Sequence, residues 1–233
     1  MKLHFSRFVF AALFLVLLTA ETARGQTSAT EVWPKVSARL ELRPKTRIEV
    51  FGGTQDGGDF QWNMGALLNY RIKRLTMHRE KDIDEENEHL FVLGAGYEYL
   101  QTLENDKTKR ENRIIIQGAA HHSPGAGLLV TDRNRVEFRW VNGAYNFRYR
   151  NKLIVDRAFR ANKFRFTPYA SGELFWDRNH HLWNENQYSF GVQLPYKQRL
   201  MLDIFYLHQN CTTCSQTHVN VAGLTLNLFF KRK

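Results

Sequence analysis

The sequence is short of most features that would place it in a familiar class. It has two cysteines among 233 residues, Cys211 and Cys214, so it lacks the framework of several bridges on which small exported domains rely. After the first twenty residues no apolar run approaches the ~18 residues of a membrane helix. Helical amphipathicity is scarce: only MHREKDIDEENEH, 77 to 89, could form a short helix, and it reads better as a connection. There is no low-complexity linker or compositional break to mark a domain boundary, and no nucleic-acid-binding motif. What survives is a single all-β domain.

The N-terminus is different. Lys2 and Arg7 precede FVFAALFLVLL, 8 to 18, and Ala23-Arg24-Gly25 supplies small residues before Gln26. This is the pattern of a cleaved secretory signal peptide over 1–25, leaving 26–233 as the folded domain. The whole chain carries 33 Lys and Arg against 23 Asp and Glu; without Lys2, Arg7, Arg24 and Glu21 the net charge is about +8. A basic excess attracts anionic lipid, acidic solutes or nucleic acid, and export disfavours the last.

Residues 36 to 230 alternate with period two, the mark of strands with two unlike faces. In RNRVEFRW, Arg133, Arg135, Glu137 and Arg139 take one face, and Asn134, Val136, Phe138 and Trp140 the other. Tyr70, Tyr99, Tyr145, Trp176, Tyr188, Tyr206 and Phe230 likewise end apolar faces in aromatic rings. Aromatic girdles with rows of Arg and Glu on the opposite face predict an inside-out arrangement, a single antiparallel transmembrane β-barrel, over a soluble sandwich. Eleven such strands can be read. Because bacterial barrels have even counts, about twelve are expected, with ten the alternative; Val32-Trp33 adds a short strand or Pro44 kinks a long one. SPGAG, RAFRANK and PYKQ read as short periplasmic turns, and LENDKTKREN, DRNHHLWNEN and HQNCTTCSQ as longer outer loops.

R-x-R-x-E-x-R at 133 to 139, FRYRNKL at 147 to 153, FTPYASGELF at 166 to 175 and HVNVAGLTLNLFF at 218 to 230 carry a resemblance. With VWPKV and LDIFYLHQ, they are similar to bacterial outer-membrane barrels grouped only as a domain of unknown function. The resemblance implies an outer-membrane barrel and no assigned activity. The sequence departs from that pattern in the charged insert around 77 to 89 and in Lys231-Arg232-Lys233 after Phe230.

Candidate chemistry is sparse. His121-His122-Ser123 invites a lipid-modifying barrel enzyme, but Pro124 follows and makes the trio a turn. His180-His181, near Asp177 and Glu185, matches no defined metal spacing. Cys211-Thr212-Thr213-Cys214 lacks the helix start of a redox CxxC and reads as a small loop disulfide. No catalytic, cofactor or metal residue is assigned. Eleven arginines fall on the inner face, at 39, 43, 47, 71, 113, 133, 135, 139, 148, 150 and 165, with Glu41, Glu49, Glu98, Glu137, Glu173 and Asp203. Such charges must be paired or solvated. The interior is either plugged by salt bridges or a narrow wet pore whose arginine surplus favours small anions. The expected partners are outer-membrane lipid, the assembly machinery during insertion and small anionic solutes, in the outer membrane of a Gram-negative-type bacterium.

Overall fold

The computed structural model describes residues 28–57, 59–75, 83–104, 107–162, 164–214 and 216–231, so the expected leader lies outside the described residues. The strands are β1 (Ser28–Arg43), β2 (Thr46–Gln55), β3 (Phe60–Arg74), β4 (His89–Glu104), β5 (Lys107–Gly125) and β6 (Leu128–Val141). They continue as β7 (Ala144–Arg157), β8 (Phe159–Ala161), β9 (Phe164–Asp177), β10 (Leu182–Tyr196), β11 (Leu200–Cys211) and β12 (His218–Phe230). Each pairs with its sequence neighbour, except that β9 skips the three-residue β8 to pair with β7, and β12 pairs with β1. Twelve strands thus form, and eleven close into one barrel.

An odd number of staves has a geometric consequence. Alternating up and down, the eleventh stave runs the same way as the first, so closure from Ser28↔His218 to Leu40↔Phe230 is parallel. The expectation of antiparallel pairing throughout fails at this one seam. Val32 and Trp33 belong to β1 itself, and Pro44 begins the β1–β2 turn. The ends of the described chain also separate: Ser28 lies at one mouth, Phe230 at the other. We call these the N-terminal and C-terminal mouths.

Loop lengths do not divide as expected. β4 and β5 pair out to Glu104↔Lys107, so most of LENDKTKREN is strand. Asn142 and Gly143, both with positive φ, close β6–β7 as the tight hairpin that Asn-Gly favours. The longest connection, β3 to β4, lies instead at the C-terminal mouth with the short turns.

Alternation sorts the side chains as the charge pattern demands. Val36, Leu68, Ile116 and Phe190 are about half exposed or more on the outer surface, while Ile115, Arg71 and Glu137 are fully buried inside. Outer rings gather toward the ends: Trp140 with Tyr145, Trp62 with Tyr99 and Phe147 with Trp176 toward the N-terminal mouth, and Phe159 stacked on Phe166 toward the other. Inward glycines make room for inward rings. A Cβ on Gly65 would lie 2.6 Å from Phe51, and one on Gly223 2.0 Å from Phe205, so these strands surrender side chains to let the rings lie flat.

Candidate functional site

The inward faces enclose a cavity of about 640 Å³. It extends from Gln55, Gln61, Thr102 and Lys109 near the N-terminal mouth to Arg39 and Asp84 toward the C-terminal one. Ten Lys and Arg and eight Asp and Glu line it, so the interior is far closer to neutral than eleven arginines against six acids suggested.

A girdle of ion pairs on β4 to β9 accounts for the balance. Glu137, fully buried, accepts from Arg148 Nε and from Arg150 Nη1, each at 2.9 Å. Glu173 takes Arg150 at 2.8 Å, Arg133 at 3.4 Å and Lys152 at 3.6 Å. Glu111 bridges Arg113, at 2.5 Å, and Arg139, and Arg139 also reaches Asp177 at 3.5 Å. Glu98 accepts from Asn63 at 2.6 Å and pairs with Arg113 at 3.3 Å. Strand register builds this. Glu137 lies opposite Arg148 and Lys152 opposite Glu173 across single ladders, where opposite charges on one face support the pairing. Glu111, Glu137 and Glu173 each meet two or more cations, while Glu98 and Asp177 each join one arginine to a neutral asparagine donor, so that the buried charges are paired.

Deeper than the exposed Lys109, two lumen cations stand apart. Arg135 donates through Nε and Nη2 to the neutral Gln117 Oε1, at 3.1 and 2.7 Å, with Glu137 no nearer than 4.0 Å. Lys35 lies 4.4 Å over the Phe51 ring and has no carboxylate pair among the described residues. Each lies within the electrostatic reach of the other. Asp203 accepts from the Tyr169 hydroxyl at 3.0 Å.

At the C-terminal mouth, residues 83–88 of the β3–β4 connection pack against the inward arginines. Asp84 caps a single 3-10 turn, Glu85–Glu88, by accepting from the Glu86 amide. Its carboxylate also holds Arg47 at 2.6 Å and Arg39 at 3.3 Å. Glu86 holds Arg47 at 2.6 Å, and Glu85 holds Lys231 at 2.6 Å and Arg71 at 3.6 Å. Burial alone would raise the Asp84 carboxyl, but Arg47 and Arg39 hold it well below the usual range. Glu86 goes the other way: burial, reinforced by the Asp84 charge, pushes it up to about 7 against the pull of Arg47. Among the described residues its Oε1 is buried without a hydrogen-bond partner, as are Arg47 Nε, Arg71 Nε, Arg39 Nε and Glu88 Oε1.

Of the residues assigned to the inner face, Arg113, Arg133, Arg135, Arg139, Arg148, Arg150, Glu173 and Asp203 line the cavity, and Glu137 lies buried among them. Arg165 does not line it; it stands opposite Arg160 in the β8–β9 hairpin. Arg43 is exposed at the C-terminal rim. Cys211 and Cys214 form a disulfide. His121 is buried with Nδ1 2.7 Å from the His89 carbonyl, His122 is exposed, and Ser123 donates to the Leu128 carbonyl. The Ser123 hydroxyl proton goes to a carbonyl rather than to a histidine, so no nucleophile–base pair forms among the described residues. Glu111 was missed, though it shares the face of Arg113 at a spacing of two. Asp84, Glu85 and Glu86 carry no strand period that could have placed them.

A family model described as Protein of unknown function (DUF2490) matches residues 87–220, more than half of the chain. The chain belongs to this family. The match runs from the plug turn into β12 and takes in the girdle, but leaves out β1 to β3. No curated protein matches the chain. The family's function is unknown.

Proposed function

We propose that the barrel spans the outer membrane and forms a narrow, gated passage for small anions. The outer belt of exposed aliphatic residues between bands of aromatic rings supports the membrane placement, as does the leader pattern. On this reading its partners are outer-membrane lipid, the assembly machinery during insertion and the anions themselves.

The observation that carries the proposal is the plug. With 83–88 docked, the lumen is nearly neutral and Asp84 lines its C-terminal end. Withdrawal would take Asp84, Glu85 and Glu86 out of the passage and leave Arg47 with neither of its carboxylates. Among the described residues, Arg39 and Arg71 would keep Glu49 and Glu41. The opened mouth thus becomes more positive than the closed one, and Lys35 and Arg135 already favour an anion within. Opening and anion preference come from the same event.

Heat-dependent gel migration in detergent tests the membrane barrel by itself. Planar-bilayer recordings then test the passage: rare, brief openings are expected for the native mature chain and frequent, long ones for Asp84→Ala. Silence from both across several salts would overturn it.

A further inference from the structure

The outer surface has one feature that lumen and membrane reading leave unexplained. On the outward face of β6 and β7, Asp132, Asn134 and Asn151 form a hydrogen-bonded cluster. Asn151 Nδ2 donates to Asp132 Oδ1 at 2.7 Å and to Asn134 Oδ1 at 3.0 Å. Asn134 Nδ2 donates to Asp132 Oδ2 at 3.3 Å, and the Tyr149 hydroxyl to Asn134 Oδ1. Asn134 faces Asn151 across the ladder, and each stands at the middle of its fourteen-residue strand. Val136, Phe138 and Phe147 flank the cluster toward one mouth, and Val130, Leu153 and Val155 toward the other. On the membrane reading, a carboxylate therefore faces the centre of the hydrocarbon, where it is costly and marks function by default.

Small residues surround it. Gly118 and Ala120 lie opposite Asn134 and Asp132 on β5, and Gly172 opposite Leu153 on β9. The fold does not require these two glycines. A Cβ on Gly118 would meet its nearest atom at 3.6 Å and one on Gly172 at 3.8 Å, ordinary contacts, unlike the collisions at inward Gly65 or Gly223. The smallness serves something outside the barrel.

We propose that this notch is where two copies of the chain meet in the membrane. Acyl chains at mid-membrane offer no donors, and lipid headgroups sit about 15 Å away. A second copy is favoured by what the cluster leaves unused. Both Asn151 N–H groups are spent, but its Oδ1 accepts nothing among the described residues, and one Asn134 N–H is free. One spare donor beside one spare acceptor is self-complementary under a two-fold axis. Each copy's Asn134 then donates to Asn151 Oδ1 of the other, with the glycines allowing close approach.

The inference rests on the membrane reading, so insertion and oligomeric state are measured on the same full mature chain. Membrane flotation and heat-dependent migration report the first. Oxidative cross-linking of Ala120→Cys in liposomes and sedimentation in mild detergent report the second. A dimer is expected, lost on Gly118→Leu, which fills the notch, and on Asn151→Ala, with insertion retained by both. An inserted chain that is monomeric overturns the dimer alone; so does a dimer that survives Gly118→Leu, or cross-linking only to a different protein. A chain that fails to insert overturns both readings.

Discussion

The girdle and the plug use the same residue types to opposite ends. In the girdle, both oxygens of Glu137 are taken by arginines at 2.9 Å and Glu173 meets three cations. At the plug the anchoring pairs are as short, 2.6 Å from Arg47 to Asp84 and to Glu86, yet among the described residues buried atoms of Arg39, Arg47, Arg71, Glu86 and Glu88 lack hydrogen bonds, against Arg133 Nε in the girdle. A satisfied polar network fixes one structure, and a partly satisfied one sits closer to its alternative. Covalent context differs in the same sense. The girdle hangs on strands held along their length, whereas the plug turn hangs on a connection. One set of charges keeps the barrel's shape, and the other can let go.

The largest effect should come from breaking the girdle. Glu137→Ala leaves Arg148 with Glu185 at 3.9 Å and Arg150 with Glu173, and a buried pair deprived of one partner costs about 3–5 kcal/mol. Denaturant unfolding in lipid or detergent measures it; a loss below about 1 kcal/mol would mean that water already solvates these arginines. Asp84→Ala removes an equally short pair, but its cost is capped because withdrawal of the turn lets water reach Arg47. We expect about 1–2 kcal/mol, with the opening of the passage as the main consequence. Equal losses for the two variants would erase the distinction between them.

A third test uses pH. Glu86 in the docked turn titrates above an ordinary carboxyl, so docking binds a proton more tightly than the free turn does. That contribution is present below the ordinary carboxylate range and is lost as pH rises through about 7. Open probability should therefore rise between pH 5 and pH 8, and Glu86→Gln should flatten the rise. An opposite slope would remove Glu86 from the account. The smallest effect belongs to Cys214→Ser: the Cys211–Cys214 bridge spans three residues, so its loss costs at most about 2 kcal/mol by chain entropy and leaves conductance unchanged.

Much of the architecture was legible because a strand has an unambiguous period. Alternation alone marks eleven strands from Val36 to Phe230, and the structure closes eleven. The rule of even counts pulled the expectation to twelve, whereas the chain resolves its odd count by one parallel seam and adds the small β8 outside. What alternation cannot carry is register. That Glu137 meets Arg148 and Arg150, or that Arg135 must settle for Gln117, depends on which residues face each other across the ladder. Glu111 was within reach of the pattern. Asp84, Glu85 and Glu86 were not, because a connection has no period. Yet two charged segments far apart in sequence, the β3–β4 connection and the C-terminal end, meet in space where Lys231 holds Glu85 at 2.6 Å.

The central claim is that withdrawing the plug unmasks positive charge. The reversal potential of Asp84→Ala channels in a steep potassium chloride gradient tests it most directly. The account predicts a potential of the sign that marks chloride as the preferred ion, shrinking as salt screens the mouth. Channels that open but prefer potassium would contradict it.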